Sequence, residues 1–232
     1  MRPGDAEEIR ALPLFRDCRD AVYADLLANS FLQRFPPGVE LIHEDDPADF
    51  LHVVVEGLVE MGASQAGRET TLSFVRPFGT FILAAVLKDQ VYLQRARTLE
   101  KSRVLMIPAQ AVRDAVRVDT AFMSAVMNEL ATRYRDTVKE LKNQKLRTGT
   151  ERLANWLLNE HQGQGGTGAL TIGVEKRVLA ARLGMTPENL SRAFATLGPY
   201  GIEVQGPNVV LGDRAGLERL AKPTPLIDDA GS

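Results

Sequence analysis

Near the start of the chain the apolar positions Leu12, Leu14, Phe15, Val22, Leu26 and Leu27 recur at helix-like intervals, so residues 5 to about 32 are expected to form short helices with one packed face. From Phe35 to about Ile107 the pattern changes to short apolar runs such as Leu51-His52-Val53-Val54-Val55, Thr71-Leu72-Ser73-Phe74-Val75 and Val104-Leu105-Met106-Ile107. Between them stand Pro36-Pro37-Gly38, Glu56-Gly57, Ala66-Gly67 and Pro77-Phe78-Gly79, which is turn chemistry. Many short strands at regular spacing predict a small antiparallel barrel or sandwich.

After Pro108 the period becomes helical, with one interruption expected near Val118-Asp119. From Thr120 to Gln144, Met123, Met127, Leu130, Tyr134, Val138 and Leu141 fall three or four residues apart. Two uses compete for this stripe: packing on its own barrel, or pairing with the same helix of a second chain as a short coiled coil. At about 1.5 Å per residue the helix outreaches a barrel of this size, which favours the dimer. Arg133, Arg135, Lys139, Glu140 and Lys142 flank the stripe and stay solvated in either case.

The helix is expected to end near Gln144-Lys145-Leu146-Arg147, where Thr148 and Glu151 stand in capping-box spacing and start a new one carrying Leu153, Trp156, Leu157 and Leu158. That marks a hinge. The glycine-rich stretch from Gln162 to Gly168 lacks both the GK[ST] ending and the preceding apolar strand of a phosphate loop, so it reads as a flexible surface loop. Val178, Leu179 and Leu183 then mark one short amphipathic helix, and Gly184 suits the left-handed turn after it. Thr186 is a good N-cap, Pro187 belongs at the first helical position, and Leu190, Phe194 and Leu197 give a second helix its buried face. Two short helices joined by a tight turn make a helix-turn-helix. The stretch from Gly201 to Leu211 reads as strand, turn, strand, a wing.

Composition narrows the class without naming it. With 44% hydrophobic and 25% charged residues the chain is an ordinary globular protein. No apolar run is long enough to cross a membrane and the start has no secretion signal, so a cytoplasmic protein without membrane contact is expected. Its single cysteine, Cys18, excludes an internal disulfide framework and suits a reducing compartment. The net charge of −2 gives no general attraction to nucleic acid, so any DNA reading must rest on local arrangement.

That arrangement exists on the second helix of the helix-turn-helix. Glu188, Ser191 and Arg192 lie at i, i+3 and i+4 opposite the buried face, on the turns that enter the major groove in this motif. Arg192 can offer paired donors to guanine O6 and N7, Glu188 can accept from cytosine N4, and Ser191 can serve an adjacent base or phosphate. The plainer alternative is that Glu188 favours the helix N-terminus and pairs with Arg192. Lys176, Arg177, Arg182 and Thr186 around the helix pair are the candidate phosphate contacts.

Over almost its whole length the chain resembles the CRP/FNR superfamily of bacterial transcription regulators. The stretch from Pro37-Gly38-Val39-Glu40 to Val55-Glu56-Gly57 matches that family's barrel opening, and Glu188, Ser191 and Arg192 match the E-x-x-S-R signature of its FNR-like branch. The resemblance implies an α+β fold with an N-terminal antiparallel β-barrel of the double-stranded β-helix, cyclic-nucleotide-binding-like kind, a long central dimerisation helix and a C-terminal winged helix-turn-helix. It implies a DNA-binding homodimer, not an enzyme, reading a palindrome of TTGA-like half-sites, with RNA polymerase as a further partner. The expected boundaries are 1–118 for the sensor barrel with its helices, 119–147 for the dimerisation helix and hinge, 148–222 for the DNA-binding domain and 223–232 for a flexible tail.

Departures from the family pattern bear on the effector. Cys18 alone cannot replace the cluster cysteines of oxygen-sensing members, which argues against an iron–sulfur cluster. Where cyclic-nucleotide binders carry Gly-Glu and Arg-Ser pairs this chain has Gly79-Thr80 and, about where the second would fall, Tyr92-Leu93, which argues against cAMP. Arg95 and Arg97 are nearby, but an alternating Arg-Ala strand reads as a solvated sheet face. The stretch from Phe78 to Leu87 is apolar, suiting a hydrophobic cavity or plain core. Haem stays open as an alternative: the candidate ligands are His43 in an expected exposed turn, His52 within a strand, His161 beside the glycine-rich loop and Pro3, although Arg2 keeps Pro3 from the terminal position that some haem sensors use. Two other classes remain: a cyclic-nucleotide module regulating another protein, and a cupin-like barrel enzyme, which three scattered histidines without HxH spacing argue against.

Overall fold

A computed structural model describes residues 4–167 and 169–229. The proline proposed as a haem ligand, Pro3, lies outside them. The chain divides into two compact units, Met1–Tyr134 and Arg135–Ser232.

The first unit opens with helices α1 (Asp5–Arg10) and α2 (Asp20–Ala28) and continues through strands β1 (Phe31–Phe35), β2 (Glu40–Ile42), β3 (Phe50–Glu56), β4 (Val59–Gln65), β5 (Arg68–Val75) and β6 (Thr80–Phe81). Helix α3 (Leu83–Lys88), strands β7 (Arg95–Thr98) and β8 (Ser102–Pro108) and helix α4 (Ala109–Val118) follow. The strands form two antiparallel four-stranded sheets, ordered β1-β8-β3-β6 and β2-β7-β4-β5. The fold is therefore a jelly-roll-like sandwich, and no ladder closes one sheet onto the other among the described residues. Both sheets feed one core, in which Leu51, Val53, Val59, Met61, Ala96, Leu105 and Ile107 are buried together with Phe15 from the N-terminal segment and Phe122 from the following helix.

Helix α5 (Thr120–Leu146) begins directly after the expected interruption. Asp119 causes it. One carboxylate oxygen accepts from the backbone amides of Ala121 and Phe122 at 2.9 and 3.0 Å, an N-cap. The other accepts from the Arg19 amide at 2.8 Å and the Cys18 thiol at 3.4 Å. A buried carboxylate thus ties the N-terminal segment to the start of the long helix. Burial alone would raise its pKa, but the four donors outweigh it and hold the carboxyl at about 2, whereas burial and the Asp119 contact push the Cys18 thiol up to about 12.

The second unit takes the rest of α5 from Arg135 onward, α6 (Gly149–Gly163), β9 (Ala169–Thr171), α7 (Lys176–Arg182), α8 (Pro187–Leu197), a 3₁₀ turn (Gly198–Tyr200), β10 (Ile202–Gln205), β11 (Asn208–Leu211), α9 (Arg214–Ala221) and α10 (Pro225–Asp228). The expected capping box forms in full: Thr148 accepts from the Glu151 amide, and Glu151 accepts from the Thr148 amide. The wing is a three-stranded sheet ordered β10-β11-β9. Its third strand, Ala169–Thr171, was not expected, because three residues beside a glycine-rich loop carry no alternation of their own. A separate core of Leu153, Leu157, Leu179, Leu190, Leu197, Val209 and Leu217 holds this unit together.

Two boundaries differ from expectation. Compactness divides the chain inside α5, whereas the sequence pointed to the hinge near 144–147. Residues 223–232 were expected to be a flexible tail, yet Pro225–Asp228 form a helical turn whose Asp228 is ion-paired with Arg147; residues 230–232 lie outside the described residues.

Candidate nucleic-acid interface

The turn that presents α8 is built by backbone bonds. After α7 the Gly184 amide donates to the Ala181 carbonyl at 3.0 Å and the Met185 amide to the Ala180 carbonyl at 2.8 Å, the paired bonds of a Schellman ending. Gly184 sits at φ +63°, as that ending requires of the residue after the cap. Thr186 then caps α8 by accepting from the Asn189 amide at 3.3 Å, with Pro187 at the first position.

Leu190, Ala193, Phe194 and Leu197 face inward, and Glu188, Ser191 and Arg192 are all exposed. Asn189 and Thr196 are exposed as well. Together with Gly149, Thr150, Arg152, Gly184, Met185 and Ala193, the side chains of Asn189, Arg192 and Thr196 line an open groove of about 330 Å³. The sequence reading did not single out Asn189 or Thr196. The i, i+3 spacing of Asn189 and Arg192 and the i, i+4 spacing of Arg192 and Thr196 could have placed them beside Arg192.

The Glu188 carboxylate is held at the helix N-terminus. Its pKa is lowered, first by its own backbone amide, next by the Thr186 hydroxyl and least by Arg192. No ion pair joins Glu188 to Arg192 among the described residues. The carboxylate is thus ionised at the helix N-terminus, and the guanidinium of Arg192 is left uncommitted. Ser191 donates to the Pro187 carbonyl at 3.0 Å, which leaves its oxygen lone pairs outward.

Of the expected phosphate contacts, Lys176 and Arg177 are exposed in the first turn of α7, and neither makes an ion pair among the described residues. Cations there oppose the helix dipole, so helix stability does not account for them. Arg182 differs: it is half-buried and paired with Glu140 at 2.8 Å, so it is not free for a phosphate. Thr186 lends its lone pair to the cap. Arg152, which the sequence reading passed over, donates to the carbonyls of Leu183 at 2.8 Å and Arg147 at 2.7 Å, bracing the helix-turn-helix from α6. Burial lowers its pKa.

Along α5, Met123, Met127, Tyr134, Val138 and Leu141 are exposed apolar side chains. Leu130 departs from that stripe, since it is half-buried against the core of its own sandwich.

A Crp-like helix-turn-helix domain matches residues 151–220, and a cyclic nucleotide-binding domain matches residues 32–119. The chain belongs to the CRP/FNR family. It is a transcription regulator whose DNA-binding element is the helix-turn-helix just described. A CRP-like cAMP-activated global transcriptional regulator of Mycobacterium tuberculosis is 25% identical over 194 residues, 81% of this chain and 87% of that protein. In fold, FixK2 from Bradyrhizobium japonicum superposes with a TM-score of 0.73 at 22% identity, covering 84% of this chain and 98% of that one. The c-di-GMP responsive global regulator CLP of Xanthomonas campestris gives 0.71 at 19% identity, covering 83% and 99%. No helix of the described residues is long and apolar enough to cross a membrane.

The sandwich carries the cyclic-nucleotide fold, so its residues can be tested against that ligand. A phosphodiester is held most strongly by an uncommitted cation. Arg95 and Arg97 are not on a solvated face as their alternation suggested. Glu60, 2% exposed, accepts from Arg97 at 2.7 Å and from the Thr71 hydroxyl at 2.5 Å, and Arg95 lies 3.8 Å away across the side-chain-free Gly62. Arg103, also buried, is paired with Glu8 and Glu56. Thr80 is buried and donates to Glu129 at 2.7 Å, Tyr92 is buried with its hydroxyl at the Phe50 backbone, and Leu93 is 80% exposed. Arg97 and Arg103 are thus committed to carboxylates, whereas Arg95 reaches Glu60 and Glu69 only at 3.8 and 3.6 Å and its buried Nε has no hydrogen-bond partner among the described residues. The candidate haem ligands among the described residues are three histidines. His43 is exposed and paired with Glu40 and Asp46, and His161 is buried in α6. His52 is 1% exposed and stacked on Phe81 with ring centroids 4.8 Å apart, and burial pushes its pKa down to about 4.

Proposed function

We propose that this regulator acts as a homodimer on a palindrome of TTGA-like half-sites, with Arg192 reading a guanine, Glu188 a cytosine and Ser191 a neighbouring group, and with Lys176 and Arg177 on flanking phosphates. RNA polymerase is its further partner. The observation that carries the reading is the exposed polar face of α8: Glu188, Ser191 and Arg192 stand outward on a capped helix, and the Arg192 guanidinium makes no ion pair among the described residues. The exposed stripe from Met123 to Leu141 supports the dimer, since an apolar row of that length on one helix suits a second copy of itself. A two-fold protein then matches a two-fold operator.

Selection of binding sites from a random library tests the reading. Wild type is expected to enrich inverted TTGA-like repeats, Arg192→Ala to lose preference at one base pair, and Glu188→Ala to accept sites lacking the partner cytosine. Identical enriched sequences from all three proteins would sink it. Met127→Glu with Tyr134→Glu is expected to sediment as a monomer with a folded sandwich.

Control by a ligand at the sandwich belongs to the same proposal, and the commitment of Arg97 and Arg103 to carboxylates favours a ligand that needs no free cation. Operator affinity is therefore expected to be the same with and without cAMP, and protein purified from haem-supplied cells is expected to show no Soret band. A cAMP-dependent rise in affinity, or a Soret band, would overturn that part.

A further inference from the structure

The chain's last described residues are tied back to the end of α5 by a sequence of specific contacts. Asn155 donates to the Ala221 carbonyl at 2.7 Å, and Lys222, at φ +47°, turns the chain while its ammonium stands 3.5 Å from Glu151. The Thr224 amide then donates to Asp228 at 2.7 Å, shaping the turn that carries this carboxylate. Arg147, just past the end of α5, meets Asp228 in a two-pronged fork, Nη1 to Oδ1 at 2.7 Å and Nη2 to Oδ2 at 2.5 Å, with side chains 7% and 12% exposed. Lys142 and Lys139 of α5 donate to the carbonyls of Leu226 and Asp229 at 3.3 and 2.6 Å. The same turns of α5 are held to the helix-turn-helix by Glu140 with Arg182, and by Arg152 on the carbonyls of Arg147 and Leu183.

We infer that residues 224–229 are a clasp that fixes the reading head on the last turns of α5, with Arg147 and Asp228 as its positioning residues. A fork of two parallel bonds sets orientation as well as distance, which a single-point ion pair does not. Neither residue stands on α8, and neither carries any part of the base-reading chemistry. Their consequence lies in geometry: when α5 pairs with its copy, the angle between α5 and the head sets the separation of the two reading helices. This inference rests on the homodimer proposed above.

The test compares wild type with Asp228→Asn on three DNA duplexes: one half-site, two half-sites at the spacing wild type selects, and two half-sites moved apart or together by one or two base pairs. Binding to one half-site is expected to be unchanged. Binding to the selected pair is expected to fall about ten-fold, because a loosened head lowers the effective concentration at the second half-site, and the preference among spacings is expected to flatten. Asp228→Glu, which keeps the charge, is expected to recover part of the spacing preference. A spacing profile equal to that of wild type, or an equal loss on single and paired sites, would overturn the clasp, because a merely stabilising contact cannot separate the two. If Asp228→Asn does not fold, Arg147→Lys, which keeps a buried cation but not the fork, carries the same comparison with the same outcomes. Wild type binding one half-site as tightly as two would instead overturn the homodimer reading, and the clasp with it, before any variant is measured.

Discussion

The charged residues of the β-sandwich and those of the α8 face follow opposite rules. In the sandwich, Glu60, Arg95, Arg97 and Arg103 are buried or half-buried, and each is neutralised by a partner from a neighbouring strand or helix. On α8, Glu188 and Arg192 are exposed and make no ion pair with each other among the described residues although one helical turn apart, the Glu188 carboxylate being held by its own amide and the Thr186 hydroxyl. Removing a charge from water is costly, so a chain that buries one must supply its counter-ion internally. A charge left in water without a partner has no such constraint and is available to something outside the chain. The difference teaches where to look for function here: among the free charges, not the conspicuous buried ones.

The largest expected effect breaks the sandwich side of that contrast. Glu60→Ala strips the counter-ion from Arg97 and Arg95, and thermal melting of the sandwich should report a loss of roughly 3 kcal/mol. Half-site recognition by folded protein should not change. A loss below about 1 kcal/mol would show that the cluster is solvated after all.

The next probes the neutral buried histidine. His52 has a folded pKa of about 4 against an ordinary value of 6.5. The unfolded chain therefore binds the extra proton between those values, and stability is full above about pH 6.5 and declines as pH falls toward 4, by about 3 kcal/mol for a shift of this size. Asp119, held at about 2 from 3.8, adds a second decline that begins below about pH 4 and continues toward pH 2. His52→Phe should remove the first decline and leave the second, as denaturant titrations at stepped pH would measure.

On the other side of the contrast, Arg192→Ala should cost roughly 1–3 kcal/mol per half-site on the preferred operator while the melting temperature stays as it was. Equal weakening on every sequence would return Arg192 to the role of a surface ion. The smallest effect sharpens the same point for phosphates: replacing Lys176 and Arg177 by Gln should lower the salt dependence of binding by a slope of about 1 to 2 without altering base preference.

Much of this molecule was legible from local pattern. The capping box at Thr148 and Glu151, the Gly184 turn, the Thr186-Pro187 start of α8 and its inward and outward faces follow from residues within a turn or two of one another, because capping and amphipathic periodicity are short-range. Strand existence in the sandwich followed from alternation and turn residues for the same reason. Other features depended on partners far along the chain. The alternation of Arg95 and Arg97 gave no hint of Glu60 on the adjacent strand, so a buried ion cluster read as a wet surface. Arg182 looked free until Glu140 was beside it. Residues 223–229 carry no periodic signal, and what holds them is the Arg147 fork together with Lys139 and Lys142 on the carbonyls of Asp229 and Leu226. Leu130 sits in register with the stripe, yet its own sandwich takes it. The residues alone were enough for the longer helices, most strands of the sandwich and the polar face of α8, since those depend on neighbours on the chain, but not for β9 or the turn at Pro225–Asp228. Which charges are neutralised, which are free and where residues 224–229 are fastened depend on tertiary structure, because a charge's fate depends on what stands across space from it.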